Sequence, residues 1–167
     1  LQESTPESLK NAREQLEGII RIEPTAIDAH LTLINIAMRQ REYETARNLA
    51  IRAIGSNSDN SSLLSARGRV ELALENTQMA TELAKLVLKK DPNDTEARDI
   101  LIAAALKSKD HDLLQNALAL IQSAISVNPT DETLHLSRTR VLVAMELSQV
   151  AISQLEAYCQ TKEGSSS

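Results

Sequence analysis

Five alanines, Ala12, Ala46, Ala80, Ala117 and Ala151, recur at intervals of 34, 34, 37 and 34 residues. Twelve residues after the first four of them stand Pro24, Ser58, Pro92 and Pro129. A period of this size marks a chain built from small supersecondary units, each able to bury its apolar face only against its neighbours. The run from Met79 to Pro92, MATELAKLVLKKDP, shows the unit most plainly. Ala80 and Ala84 lie on one edge of a helical pattern, Leu83, Val87 and Leu88 lie beside them, and a proline stops it.

Composition decides what the units are. The chain of 167 residues has four glycines, four prolines, two tyrosines and neither Phe nor Trp, which gives a sheet little to work with. It is rich instead in Ala, Leu, Ile, Glu, Gln and Arg, all of them helix-compatible. Pro6 suits the first position of a helix capped by Thr5, and Leu9, Ala12, Leu16, Ile19 and Ile20 then follow the three-and-four spacing of a buried face as far as Ile22. Pro24 ends that helix. A second is expected over 28–41, with Ala29, Leu33, Ile34 and Ala37 inward, and a third carries Tyr43, Ala46, Leu49, Ala50, Ala53 and Ile54. Further pairs are expected over 61–74 and 77–89, and over 95–106 and on to Val127. A last pair covers 132–145 and 148–160. Asn60, Asp94 and Asp131 stand where they can cap the first helix of their pairs. The three extra residues of the third unit fall near 107–112 and are expected as an added turn at the start of the helix that follows.

Charge and cysteine content exclude several function classes. Twenty-three acidic residues are spread among 18 basic ones, for a formal charge of −5, so the basic face that neutralises phosphates is missing and nucleic acid is not an expected partner. Cys159 is the single cysteine and has neither a disulfide partner nor neighbours at metal-ligand spacing. No apolar run reaches the length of a membrane span, and LQESTPES lacks the basic and apolar regions of a signal peptide. A soluble chain is expected, with a cytoplasmic and a bacterial periplasmic home both open. Residues 163–167 read as a flexible tail.

The pattern resembles the tetratricopeptide repeat. His30, Leu33, Ala46, Ala53 and, imperfectly, Ser58 match it in the unit over 27–60; Leu64, Gly68, Ala80 and Pro92 match in 61–94. Leu101, Ala117, Ala124 and Pro129 match in 95–131, and His135, Leu142 and Ala151 in 132–160. Ala12, Ile19 and Pro24 supply the second half of a further repeat over 5–24. The resemblance implies an all-α fold of about nine helices: antiparallel hairpins stacked as a right-handed superhelix, a single solenoid over 1–162. Departures from the pattern are Ile34 and Ile102 in place of a small residue, Arg67 and Arg138 in place of Leu, and Glu71 where an aromatic is usual.

In that family the first helices of successive repeats line a concave groove that takes a peptide. Carried onto this sequence, the groove positions are Asp28, Leu31, Asn35, Met38 and Arg39, then Ser62, Ser65, Arg69, Leu72 and Ala73. Glu96, Asp99, Ala103, Leu106 and Lys107 follow in the third repeat and Thr133, Leu136, Arg140, Val143 and Ala144 in the fourth. The candidate binding residues among them are Leu31, Asn35, Met38, Arg69, Leu72, Leu106 and Arg140. Asn35 beside Arg69 offers donors for a carboxylate or a backbone carbonyl, and Leu31, Met38, Leu72 and Leu106 offer an apolar floor. The basic clamp of chaperone-tail receptors is broken by Asp99 and Ala103. His30 and His135 fall at a packing position, and no Ser-His-acid set, metal spacing, glycine-rich phosphate loop or P-loop occurs. The expected function is therefore a non-catalytic scaffold, without cofactor or metal, that binds a protein or peptide. A structural spacer in a bacterial envelope or exopolysaccharide export protein is the alternative. Both ends read as open, so flanking repeats in a longer parent chain or end-to-end self-association are further expectations.

Overall fold

The computed structural model describes residues 6–164. Among the described residues there are nine α-helices and no strand: α1 (Pro6–Ile22), α2 (Ile27–Arg39), α3 (Tyr43–Ser56), α4 (Ser61–Ala73), α5 (Thr77–Lys90), α6 (Thr95–Ser108), α7 (His111–Val127), α8 (Glu132–Ala144) and α9 (Ser148–Gly164). The expected Thr5 cap and residues 165–167 of the expected tail lie outside the described residues. Helix α9 runs on past Gln160, because Thr161, Lys162 and Glu163 tolerate helix and the first breaker is Gly164. The contacts gather into two compact units, one up to Val87 and one from Leu88, with the division inside α5.

In the first unit the inward residues are those of the periodic pattern. Ile34 and Ala37 of α2, Ala46, Ala50 and Ala53 of α3, and Leu63, Ala66 and Val70 of α4 form one fully buried cluster. Leu31, Met38 and Leu49 pack partly against it. Alanine at the crossing keeps the α2 and α3 backbones close, and its lack of side-chain entropy makes that burial cheap. Ser58, the departure from the proline stop, costs no clean ending. Helix α3 closes at Ser56, and the Asn57 side chain donates to the Ala53 carbonyl at 3.3 Å.

The second unit repeats the plan. Helix α6 packs on α7, α7 on α8 and α8 on α9, while α6 also meets α8. Ala97, Leu101, Ala104, Leu114, Ala117, Ile121, Leu134, Val141 and Ala151 are buried there. Asn60, Asp94 and Asp131 cap their helices as the sequence implies, accepting from Leu63, Ala97, and both Thr133 and Leu134. The cap bonds, led by that from the Thr133 hydroxyl, hold the Asp131 carboxyl below its ordinary range. Asn76 and Asp110 cap second helices by the same means, accepting from Met79 and Leu113.

Each hairpin turns through one residue with positive φ, and none of the four is glycine: Arg41, Glu75, Lys109 and Glu146. Three turns close as Schellman motifs. In them Glu42 N–H reaches the Ala37 carbonyl, Asn76 N–H that of Glu71, and Leu147 N–H that of Leu142, each at 2.9 Å. The Lys109 turn uses the simpler left-handed cap, Lys109 N–H to the Ala105 carbonyl. These turns also locate the insertion. Arg41, Glu75 and Lys109 keep the 34-residue step, whereas Ala80 to Ala117 is 37, so the extra three residues lie between Lys109 and Ala117. They form the added first turn of α7, as expected.

Two stability measurements check this reading. Ala80 is fully buried and Ala73 only half-buried. Ala80→Leu is thus expected to lower stability by about 1–3 kcal/mol through overpacking, and Ala73→Leu by much less, in parallel thermal melts. Lys109→Gly relieves a left-handed backbone and is expected to raise stability by about 0.5–1 kcal/mol, a Tm gain of a few degrees.

Candidate partner-binding faces

Within each unit the first helices of neighbouring hairpins lie side by side, α2 with α4 in the first and α6 with α8 in the second. In the first unit, Arg69 on α4 donates from Nη2 to Oδ1 of Asn35 on α2 at 3.3 Å. Both side chains are exposed. With Met38 and Arg39 they line a shallow hollow of about 370 Å³. Leu31 and Met38 are half-buried because their inner edges rest on the core cluster, and Leu72 is half-buried on α4. Two guanidinium groups and a carboxamide beside an apolar edge suit an anionic or carbonyl-bearing group. Arginine presents several N–H donors at once, and Asn35 keeps its two amide donors while its oxygen is engaged.

The second unit carries Leu106, half-buried on α6, and Arg140, exposed on α8. Leu136 and Val143, also on α8, expose about half of their surface, 46% and 53%. The face there is more apolar than in the first unit.

Sequence reasoning missed the charge network beneath the first of these helices. Glu71, 2% exposed on α4, accepts from Arg47 Nη2 of α3 at 2.8 Å and from Asn76 Nδ2 at 3.1 Å. Arg67 Nε lies 3.5 Å from the same carboxylate. The hydrogen bond that Arg47 donates to Glu71 is the largest of the effects that hold its guanidinium above the ordinary range. A carboxylate at the position usually held by an aromatic is tolerable only with partners on both sides. Arg67, itself a departure from the repeat pattern four residues away, was the available signal.

His30 and His135 are structural, and the two share one device. His30 Nε2–H donates to the Pro24 carbonyl at 2.9 Å, and His135 Nε2–H to the Pro129 carbonyl at 2.8 Å, each clipping a first helix to the stop before it. His135 also accepts from Arg138 through Nδ1 at 3.1 Å and stacks on Tyr158, with ring centroids 3.8 Å apart. Tyr158 in turn donates to the Thr130 carbonyl. These residues border a hollow of about 470 Å³ between α8 and α9. Its Arg138, Gln154 and Tyr158 stand where the first repeat has Leu33, Leu49 and Ala53. Burial pulls the Arg138 guanidinium below its usual range.

Among the described residues no group of three or more His, Cys, Asp or Glu is placed to hold a metal ion, and no helix is long and apolar enough to cross a membrane. Removing the buried carboxylate tests the network: Glu71→Ala is expected to lower the denaturation midpoint, by emptying a packed site and by removing the acceptor that Arg47 and Asn76 share. In chemical denaturation, the Arg47→Ala/Glu71→Ala double variant is expected to lose less than the sum of the single losses.

No family model matches this sequence, and no curated protein matches it either. Solved structures do. The chain is similar to MamA 41-end from Desulfovibrio magneticus RS-1, with a TM-score of 0.78 at 16% identity over 96% of this chain and 89% of that one. It is similar to YrrB, a tetratricopeptide protein described as having an unusual peptide-binding site (TM-score 0.72, 18% identity, 92% of this chain and 78% of that one). It is also similar to TTC0263, a tetratricopeptide protein of Thermus thermophilus (TM-score 0.66, 24% identity, 78% and 72%). Together with the alanine-centred hairpins, these likenesses show that the chain has a tetratricopeptide-like fold, an all-α helical repeat.

Proposed function

We propose that this chain is a non-catalytic scaffold that holds a protein or peptide segment across the faces of its first helices. The observation that carries the reading is the hollow formed by Asn35, Met38, Arg39 and Arg69 in the first unit. There donors from two adjacent helices converge beside the apolar edges of Leu31 and Met38. An extended segment has backbone carbonyls and carboxylates to offer such donors and apolar side chains to lay on Leu31, Met38 and Leu72. In the second unit Leu106, Leu136, Val143 and Arg140 supply a comparable mixture of apolar surface and one cation. YrrB, with its peptide-binding site, supports the choice of occupant. The single solenoid over 1–162 and its concave groove remain part of this proposal.

The test is affinity capture with the purified chain, followed by titration of the captured partner. Asn35→Ala/Arg69→Ala is expected to weaken binding about tenfold or more, the size of one or two lost charge-assisted hydrogen bonds, with circular dichroism and melting temperature unchanged. Equal affinity of the two proteins would remove the polar anchor from the proposal.

A further inference from the structure

Six residues after three of the chain's prolines stand His30, Arg98 and His135. The two histidines donate to the Pro24 and Pro129 carbonyls and so close the stop before their helices. Arg98 makes no such bond. Among the described residues its guanidinium donates no hydrogen bond, and its one ion pair, from Nε to Asp99 Oδ1, spans 3.8 Å with the Asp99 side chain 71% exposed. Yet the Arg98 side chain is only 14% exposed, and Nε is buried without a partner. A guanidinium so far withdrawn from water costs stability until an acceptor reaches it. Beside it, and wholly inside the second unit, lies a hollow of about 210 Å³. Leu120, Ala124 and Val127 of α7 and Leu134 of α8 make its apolar wall, and Asp131 borders it at the start of α8. The three cap bonds to Asp131 all end on Oδ1, so Oδ2 keeps its capacity to accept. Two opposite charges therefore border one hollow without forming an ion pair with each other.

We infer that this hollow is a site for a small free α-amino acid, with the carboxylate on Arg98, the ammonium on Asp131 and the side chain against Leu120, Ala124 and Val127. Charge selects the zwitterion. A simple carboxylate is repelled by Asp131 and a simple amine by Arg98, whereas a ligand carrying both charges meets a partner for each. Volume selects a short side chain. At about 30 Å³ for each water-sized group the hollow holds about seven non-hydrogen atoms, which suits alanine, serine or valine and excludes an aromatic amino acid. No residue of the hollow formed by Asn35, Met38, Arg39 and Arg69 takes part, so the site is independent of the partner-binding face proposed above.

The probe is L-valine, titrated into the nitrogen-15-labelled chain, with the Arg98 Nε–H resonance and the backbone amides of Asp131 to Leu134 as reporters. Saturable shifts with a Kd below about 1 mM are expected. Isovalerate, which lacks the ammonium, and isobutylamine, which lacks the carboxylate, are each expected to bind about tenfold or more weakly. Arg98→Gln is expected to weaken valine binding by about the same factor. Ala124→Leu fills the hollow while keeping Arg98, and is expected to abolish the shifts. Circular dichroism and melting of both variants check that the fold is intact. Absence of saturable shifts, binding indifferent to Arg98→Gln and Ala124→Leu, or equal affinity for isovalerate would overturn the inference. Tighter binding of N-acetylvaline would overturn it too, by assigning the hollow to the C-terminal residue of a partner chain.

Discussion

Close approach of two helices over an alanine is the contact on which the rest of this structure rests. Ala46, Ala80 and Ala117 are fully buried and Ala151 is 2% exposed, each near the start of the second helix of its hairpin. A methyl side chain fills the crossing without spreading the backbones, and neighbouring Leu, Ile and Val can then interdigitate on either side. Because the same crossing recurs, the hairpins within each unit pack on one another through the same kind of face. Stability is assembled from repeated local interfaces rather than from one central core.

The polar interior follows from that economy of space. Arg47, Arg67, Glu71 and Asn76 form a connected network around one buried carboxylate, so its charge is met from α3, from α4 and from the turn. The His30 and His135 clips are smaller versions of the same solution, each satisfying a carbonyl left over where a helix stops at proline. Near α9 the aliphatic residues of the first repeat give way to Arg138, Gln154 and Tyr158, and aromatic stacking on His135 takes over part of the packing.

Function is written on what this packing leaves outside. First helices show their neighbours one face and leave another free, and on the α2 and α4 surfaces that free face holds Asn35, Arg39 and Arg69.

Much of the fold was legible in the residues. The alanine period, the caps at Asn60, Asp94 and Asp131, the prolines and the added turn before Ala117 are local signals, because propensity, capping and spacing act within a few residues. The pairing of Asn35 with Arg69 was legible as well, since residues one period apart on first helices become neighbours. What only the tertiary structure decided concerns contacts between positions unrelated by the repeat. Glu71 and Arg47 meet across α3 and α4, Tyr158 lies on His135, and Leu16 and Ile19 share a groove with Ala29 and Thr32. Sequence spacing fixes which face of a helix a residue occupies, but the distance between faces of different helices is set by how their side chains pack.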